Sequence, residues 1–249
     1  MIKPAGIAVV AASVFALAFA LVGSPSAQGQ QEEPKNLKVL PKGTSHREVV
    51  NIMRGFNAAL GTRCDDCHAQ NKAGTDMDFA SDEKPMKETA RKMLKLVGSI
   101  NEQIAAMGDK DAPQVRCVTC HRGVKRPETL AALLGNVVAK DGVPAAVDRY
   151  RKLRDRYYGT GSYDFSPASL NEVAMGLAEG KKDYAGATQI LNLNLEFSPK
   201  DAETYVSLGR VQQAQGDNAA ATASLEKALQ LDPNNRWAKQ MLQRLKGGQ

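Results

Sequence analysis

The sequence predicts a mostly α-helical protein built from two unlike halves, and three observations predict it. Strand-favouring residues are sparse in the 249 residues, whereas Ala, Leu, Lys, Glu and Gln are plentiful. Apolar residues recur at helical spacing between residues that start and stop helices. Every cysteine and histidine falls before Pro127, and a regular repeat fills much of the C-terminal remainder. At this length there is room for one or two domains, each with a core of its own.

Residues 1–27 read as an export signal. Lys3 gives a positive start, residues 5–22 are apolar and uncharged, and Gly23, Ser24, Ser26 and Ala27 are small. Cleavage after Ala27 would put Pro25 at the −3 position, against the small-residue rule, and the apolar run is about long enough to span a bilayer. A cleaved signal and a retained membrane anchor therefore both stay open; the expected setting is the periplasm or another exported location. No cysteine near the end of the signal offers a lipid anchor. Residues 28–35 form a polar linker.

A helix is expected next. Ser45-His46-Arg47-Glu48 fits a capping box, Gly61 sits where a helix stops, and Val49, Met53, Phe56 and Leu60 share one apolar face. A second helix is expected from Pro85, started by Ser81 or Asp82 and ended by Gly108. Met86, Ala90, Met93, Val97, Ile100, Ile104 and Met107 make its apolar stripe.

The chemistry lies in the four cysteines. They form Cys64-Asp65-Asp66-Cys67-His68 and Cys117-Val118-Thr119-Cys120-His121, each pair followed at once by histidine. Two intervening residues let both sulfurs add to the vinyl groups of one porphyrin, and the next residue then lies beneath the ring as the proximal iron ligand. Disulfides would leave the histidines unexplained. A zinc site needs closer pairs, and a thioredoxin-type motif needs a βαβ context. The expectation is two covalently attached c-type haems, held by Cys64, Cys67, Cys117 and Cys120, with His68 and His121 on the irons.

One histidine, His46, is left over, so two bis-histidine haems cannot be made within this chain. On spacing alone, Met53 and each of Met86, Met93 and Met107 is open as an iron ligand or as packing.

Residues 36–127 resemble half of the tetrahaem cytochrome c subunit of the photosynthetic reaction centre. The resemblance rests on Asn36-Leu37-Lys38-Val39-Leu40-Pro41, Met53-Arg54-Gly55-Phe56, Leu60-Gly61 and Phe79-Ala80-Ser81-Asp82. Ala90-Arg91-Lys92-Met93, Ile100-Asn101 and Val118-Thr119-Cys120-His121-Arg122-Gly123 complete it. It implies that each helix gives the methionine ligand of the haem whose motif comes next, pairing Met53 with His68 and Met93 with His121. The family has four haem motifs and this chain two. Met107 stands about where one haem of the missing half takes a distal histidine.

After Pro127 the pattern changes. Glu196-Phe197-Ser198-Pro199-Lys200-Asp201 and Gln230-Leu231-Asp232-Pro233-Asn234-Asn235 are one phrase repeated 34 residues on. Ala185/Ala219, Ala187/Ala221 and Leu191/Leu225 keep that offset. This is the tetratricopeptide period. Ser166-Pro167 opens a third, shifted copy, and a helix over 236–245 would cap the stack. The region from Leu130 also resembles an accessory module at the C-terminus of exported hydrolases, by the Tyr150 to Tyr158 helix, Tyr163-Asp164-Phe165 and Leu170-Asn171-Glu172.

The expected fold is thus mostly α: a dihaem c-type cytochrome domain over 36–127, a helical connector over 128–165, and a tetratricopeptide-repeat α-solenoid over 166–249. The net charge of +6 comes from scattered Lys and Arg without aromatic interleaving, which argues against nucleic acid. The expected function is electron transfer between redox protein partners or with a membrane electron-transfer complex, the repeats docking a protein or peptide. A peroxidase-type haem enzyme with His46 as acid–base group is the alternative. A repeat-based interaction protein is the other.

Overall fold

A computed structural model describes residues 33–109 and 111–247. The export segment 1–27 and most of the linker lie outside the described residues. Helix α1 (His46–Leu60) starts on the expected capping box: Ser45 Oγ accepts from the Glu48 amide at 3.3 Å, and the Glu48 carboxylate accepts from the Ser45 amide at 2.9 Å. It stops at Gly61, whose φ of 61° is left-handed and whose N–H bonds the Asn57 carbonyl.

One helical turn, α2 (Cys64–Cys67), comes next, and then a short antiparallel ladder that the sequence pattern does not announce. Strands β1 (Ala69–Gln70) and β2 (Met77–Asp78) pair Ala69 with Asp78 and Gln70 with Met77. Helix α3 (Pro85–Ala106) begins at Pro85 as expected, but not on the expected cap. Asp82 does not cap it, because its carboxylate pairs with Lys38 at 2.7 Å and Arg91 at 2.8 Å. Lys84 occupies the cap position without a side-chain capping bond, its Nζ donating instead to the Asp65 carbonyl, and Pro85 opens the helix where its missing N–H costs nothing. Helix α4 (Cys117–His121) carries the second cysteine pair.

Seven further helices follow among the described residues: α5 (Leu130–Asp141), α6 (Val143–Tyr157), α7 (Pro167–Met175), α8 (Tyr184–Phe197), α9 (Ala202–Gln215), α10 (Asn218–Leu231) and α11 (Arg236–Gly247). Helix α7 widens into a π-helical turn over Gly176–Gly180. The 34-residue period reappears in the caps. Asp183 and Asp217 accept from Gly186 and Ala220 amides at the starts of α8 and α10. Asp201 and Asn235 do the same for Thr204 and Ala238 at α9 and α11.

Two apolar clusters fill this half. The first joins α5 to α8 with Leu208 and Val211 of α9; the second joins α9, α10 and α11. Leu130, Leu134 and Tyr150, from the stretch read as a connector, thus share a core with Leu170 and Leu191 of the repeats. Among the described residues no helix is long and apolar enough to cross a membrane.

Candidate functional site

Both cysteine pairs are held by the same local device. Arg63 and Arg116 precede their first cysteine in extended backbone, at φ of −119° and −127°. The residue before the second cysteine then reaches back: Asp66 accepts from the Arg63 amide at 2.8 Å, and Thr119 Oγ1 from the Arg116 amide at 3.0 Å. Each pair is thereby fixed on one helical turn, three residues and about 4.5 Å of rise apart. The four cysteines are unbridged. Burial, then the neighbouring Asp66 carboxylate, push the Cys67 thiol up, opposite to the shift a redox-exchange cysteine needs. The signal for this device is present in the sequence, as an Arg before each pair and a cap-competent residue at its third position, but spacing of the cysteines alone does not reveal it.

The two motif histidines are placed differently. His121 is buried, and its Nδ1 lies 2.9 Å from the Val124 carbonyl. Donation from Nδ1 fixes the tautomer and leaves Nε2 as the free electron pair. His68 is half-buried, and its Nδ1 has no hydrogen-bond partner among the described residues. The Phe79 ring stands edge-on to it at 5.1 Å. Burial first, then the Lys87 ammonium, hold this imidazole below its ordinary pKa, against the Phe79 backbone. It is therefore neutral near pH 7, the form that binds a metal. Lys87 Nζ also donates to the carbonyls of Phe79, Ala80 and Ser81 at 2.9, 3.1 and 2.7 Å, which fastens the loop carrying Phe79 onto α3. His46 is exposed at the first turn of α1.

The two motifs meet through backbone. The Gly123 amide donates to the Ala59 carbonyl at 2.8 Å, and a Cβ on Gly61 would fall 2.2 Å from the Gly123 carbonyl oxygen. Lys125 closes the same joint with an ion pair to Asp66. The turn after the second motif therefore rests on the end of α1, immediately before the first.

The family model of the photosynthetic reaction centre cytochrome c subunit matches residues 13–154, more than half of the chain. The chain belongs to this family. A tetratricopeptide-repeat model matches residues 202–235. Cytochrome c-554 of Chloroflexus aurantiacus is 39% identical over 88 residues, 34% of this chain and 20% of that protein. Cellulose synthase operon protein C of Escherichia coli is 42% identical over 69 residues, 26% of this chain and 6% of that one. The chain thus spans about a fifth or less of the length of these relatives. The first tetratricopeptide domain of Spaghetti (RPAP3), solved with an HSP90 peptide, has a TM-score of 0.34 at 24% identity, covering 47% of this chain and 91% of that one.

Membership implies haem, and the residues fit one. Among the described residues before Pro127, Ala59, Ala69 and Val124 are the buried apolar side chains, and neither apolar cluster reaches into this half. Instead Phe79, Met86, Met93, Leu96 and Val118 stand 38–57% exposed. A segment this long without apolar burial does not offset its conformational entropy, so a large apolar group has to complete it. Among the described residues no three of His, Cys, Asp and Glu gather to hold a bare metal ion. Each histidine is alone, as it is where a porphyrin supplies the other iron ligands.

Of the methionines, Met53 is half-buried mid-way along α1, Met93 lies partly exposed on α3, and Met107 is 78% exposed at the end of α3. Helix α1, which carries Met53, packs against α4 of the second motif, and α3, which carries Met93, packs against α2 of the first.

Proposed function

We propose that the protein is an exported electron carrier with two c-type haems and a repeat module that docks a protein or peptide partner. One haem is held by Cys64 and Cys67 with His68 and Met53 on its iron; the other by Cys117 and Cys120 with His121 and Met93. The observation that carries this reading is a half-chain with two identically built cysteine turns and almost no apolar core of its own. When bound, each haem supplies one-electron chemistry at iron.

The chain's residues do the rest. The cysteine turns fix each ring in place, and Val124 sets the His121 tautomer. Met53 and Met93 would each give a thioether to the iron held by His68 and His121, leaving no position open to substrate and raising the potential. Closed positions suit a carrier. A peroxidase would need an open iron and an acid–base group beside it, and His46, the candidate for that role, is solvent-exposed at a helix start. Redox proteins or a membrane electron-transfer complex are the partners this reading implies. Placement in the periplasm rests on residues 1–27.

The test is a reductive titration of the holoprotein in the presence and absence of carbon monoxide and cyanide. Two one-electron steps without ready binding of either ligand support the carrier. Rapid ligand binding with peroxide turnover would move the assignment to the enzyme.

A further inference from the structure

Ser162 belongs to the half of the chain that carries the repeats, and it lies outside residues 13–154 that match the cytochrome family. It is nevertheless 3% exposed, and its hydroxyl donates at 2.7 Å to the Arg122 carbonyl, one residue past the second motif histidine. We propose that Ser162 is a positioning residue for the second haem, so that the repeat half tunes that haem and leaves the first untouched. The inference rests on the dihaem reading above.

The turn it grips is a demanding one. Arg122 and Gly123 are both left-handed, at φ of 47° and 90°, a conformation that a side chain such as arginine rarely adopts. The turn persists because it is held on two sides. On one, the Gly123 amide bonds Ala59 of α1; on the other, Ser162 holds the Arg122 carbonyl. The product is the position of Val124, whose amide bonds the His121 carbonyl and whose own carbonyl accepts from His121 Nδ1, both at 2.9 Å. His68 has no counterpart of this arrangement among the described residues.

Ser162 is itself built in. Thr160 Oγ1 lies 2.9 Å from its hydroxyl and accepts from its amide at 3.3 Å. Tyr157 and Tyr163 close the loop edge to face at 5.5 Å, and both pack on the first apolar cluster. Rigid attachment to that core gives the hydroxyl a fixed position against which the turn is set.

The sign is set by the ligand. A hydrogen bond from Nδ1 makes the imidazole a stronger donor to iron and favours the ferric state. Loosening the turn weakens that bond, so the potential of the second haem rises.

The experiment is a potentiometric titration of the full-length holoprotein as wild type, Ser162→Ala, Ser162→Thr and Thr160→Val. The second haem is identified by the methionine signal lost in Met93→Ala. In Ser162→Ala its potential rises by roughly a tenfold change in reduction equilibrium, about 59 mV for one electron. The first haem stays at its wild-type value. Thr160→Val moves the second haem the same way by less, and Ser162→Thr, which keeps the hydroxyl, returns it towards wild type. Both potentials unmoved in Ser162→Ala, or both moving together with a fall in melting temperature, would overturn the inference in favour of a plain structural bond. A wild-type protein with no haem on Cys117 and Cys120 would instead overturn the dihaem reading from which it starts.

Discussion

Gly61 is where the two halves of the haem region touch, and Gly61→Ala tests that joint. Two costs add there. An alanine at φ of 61° meets the left-handed penalty, about 1–2 kcal/mol. Its Cβ would also sit 2.2 Å from the Gly123 carbonyl oxygen, a backbone atom with no rotamer to escape into. Forced displacement of packed structure costs a further ~1–3 kcal/mol. The variant should lose about 2–5 kcal/mol of stability in all. Gly108 is the control: its φ is 82°, but nothing lies within 4 Å of its Cβ position, so Gly108→Ala meets the first cost alone. The assay is guanidinium unfolding of the holoproteins, monitored by haem absorbance and by far-ultraviolet dichroism. Gly61→Ala losing no more than Gly108→Ala would refute the close approach, and with it the seating of the second motif on the first.

Two further outcomes are expected. Asp82 is held well below the usual carboxylate range by hydrogen bonds from Lys38 above all, then from Asn36, Arg91 and Lys87. Its folded value lies under its unfolded one, so the stability it contributes is full above the unfolded value of about 4 and is lost as pH falls through the folded value. Between about pH 5 and pH 2, wild type should therefore lose stability more steeply than Asp82→Asn, as read from denaturant midpoints; equal slopes would contradict the linkage. Replacing all four cysteines by serine removes haem attachment. Hydrogen exchange should then become fast over 34–127 and remain slow in α5 to α11; protection surviving in the first half would show a core that the structure does not contain.

How much of this was legible depends on the kind of signal. The box at Ser45 and Glu48 and the stop at Gly61 are local, set by residues three or four apart, and they stand in the structure as the sequence implied. Helix α3 starts at Pro85 as the sequence implied, but the expected cap is not used. Asp82 is a good cap by type, but its partners Lys38 and Arg91 are far away in sequence, and ion pairing took the carboxylate that capping would have used. The two-residue strands are too short for any periodicity to show. The repeat phrase revealed the solenoid because its period is long and its prolines fall in the turns. The packing of α5 and α6 into that solenoid's core is tertiary, and Leu130 or Tyr150 gives no sign of it locally. Among the proposed site residues, Cys64, Cys67, Cys117, Cys120, His68 and His121 were readable from spacing. The bonds from Val124 to His121 and from Ser162 to Arg122 required the fold.

On the proposed assignment two haems sit on this chain, each iron taking one histidine and one methionine. The most direct measurement is an optical titration of protein made in a host that attaches c-type haem, with the haem-to-protein ratio determined. The long-wavelength band of methionine-bound ferric haem is tracked in wild type, Met53→Ala and Met93→Ala. Two haems per chain are expected, and a band that falls by part in each variant, with Met53→Ala altering the haem on His68 and Met93→Ala the haem on His121. One haem per chain, or two haems with no methionine band and ready cyanide binding, would contradict it.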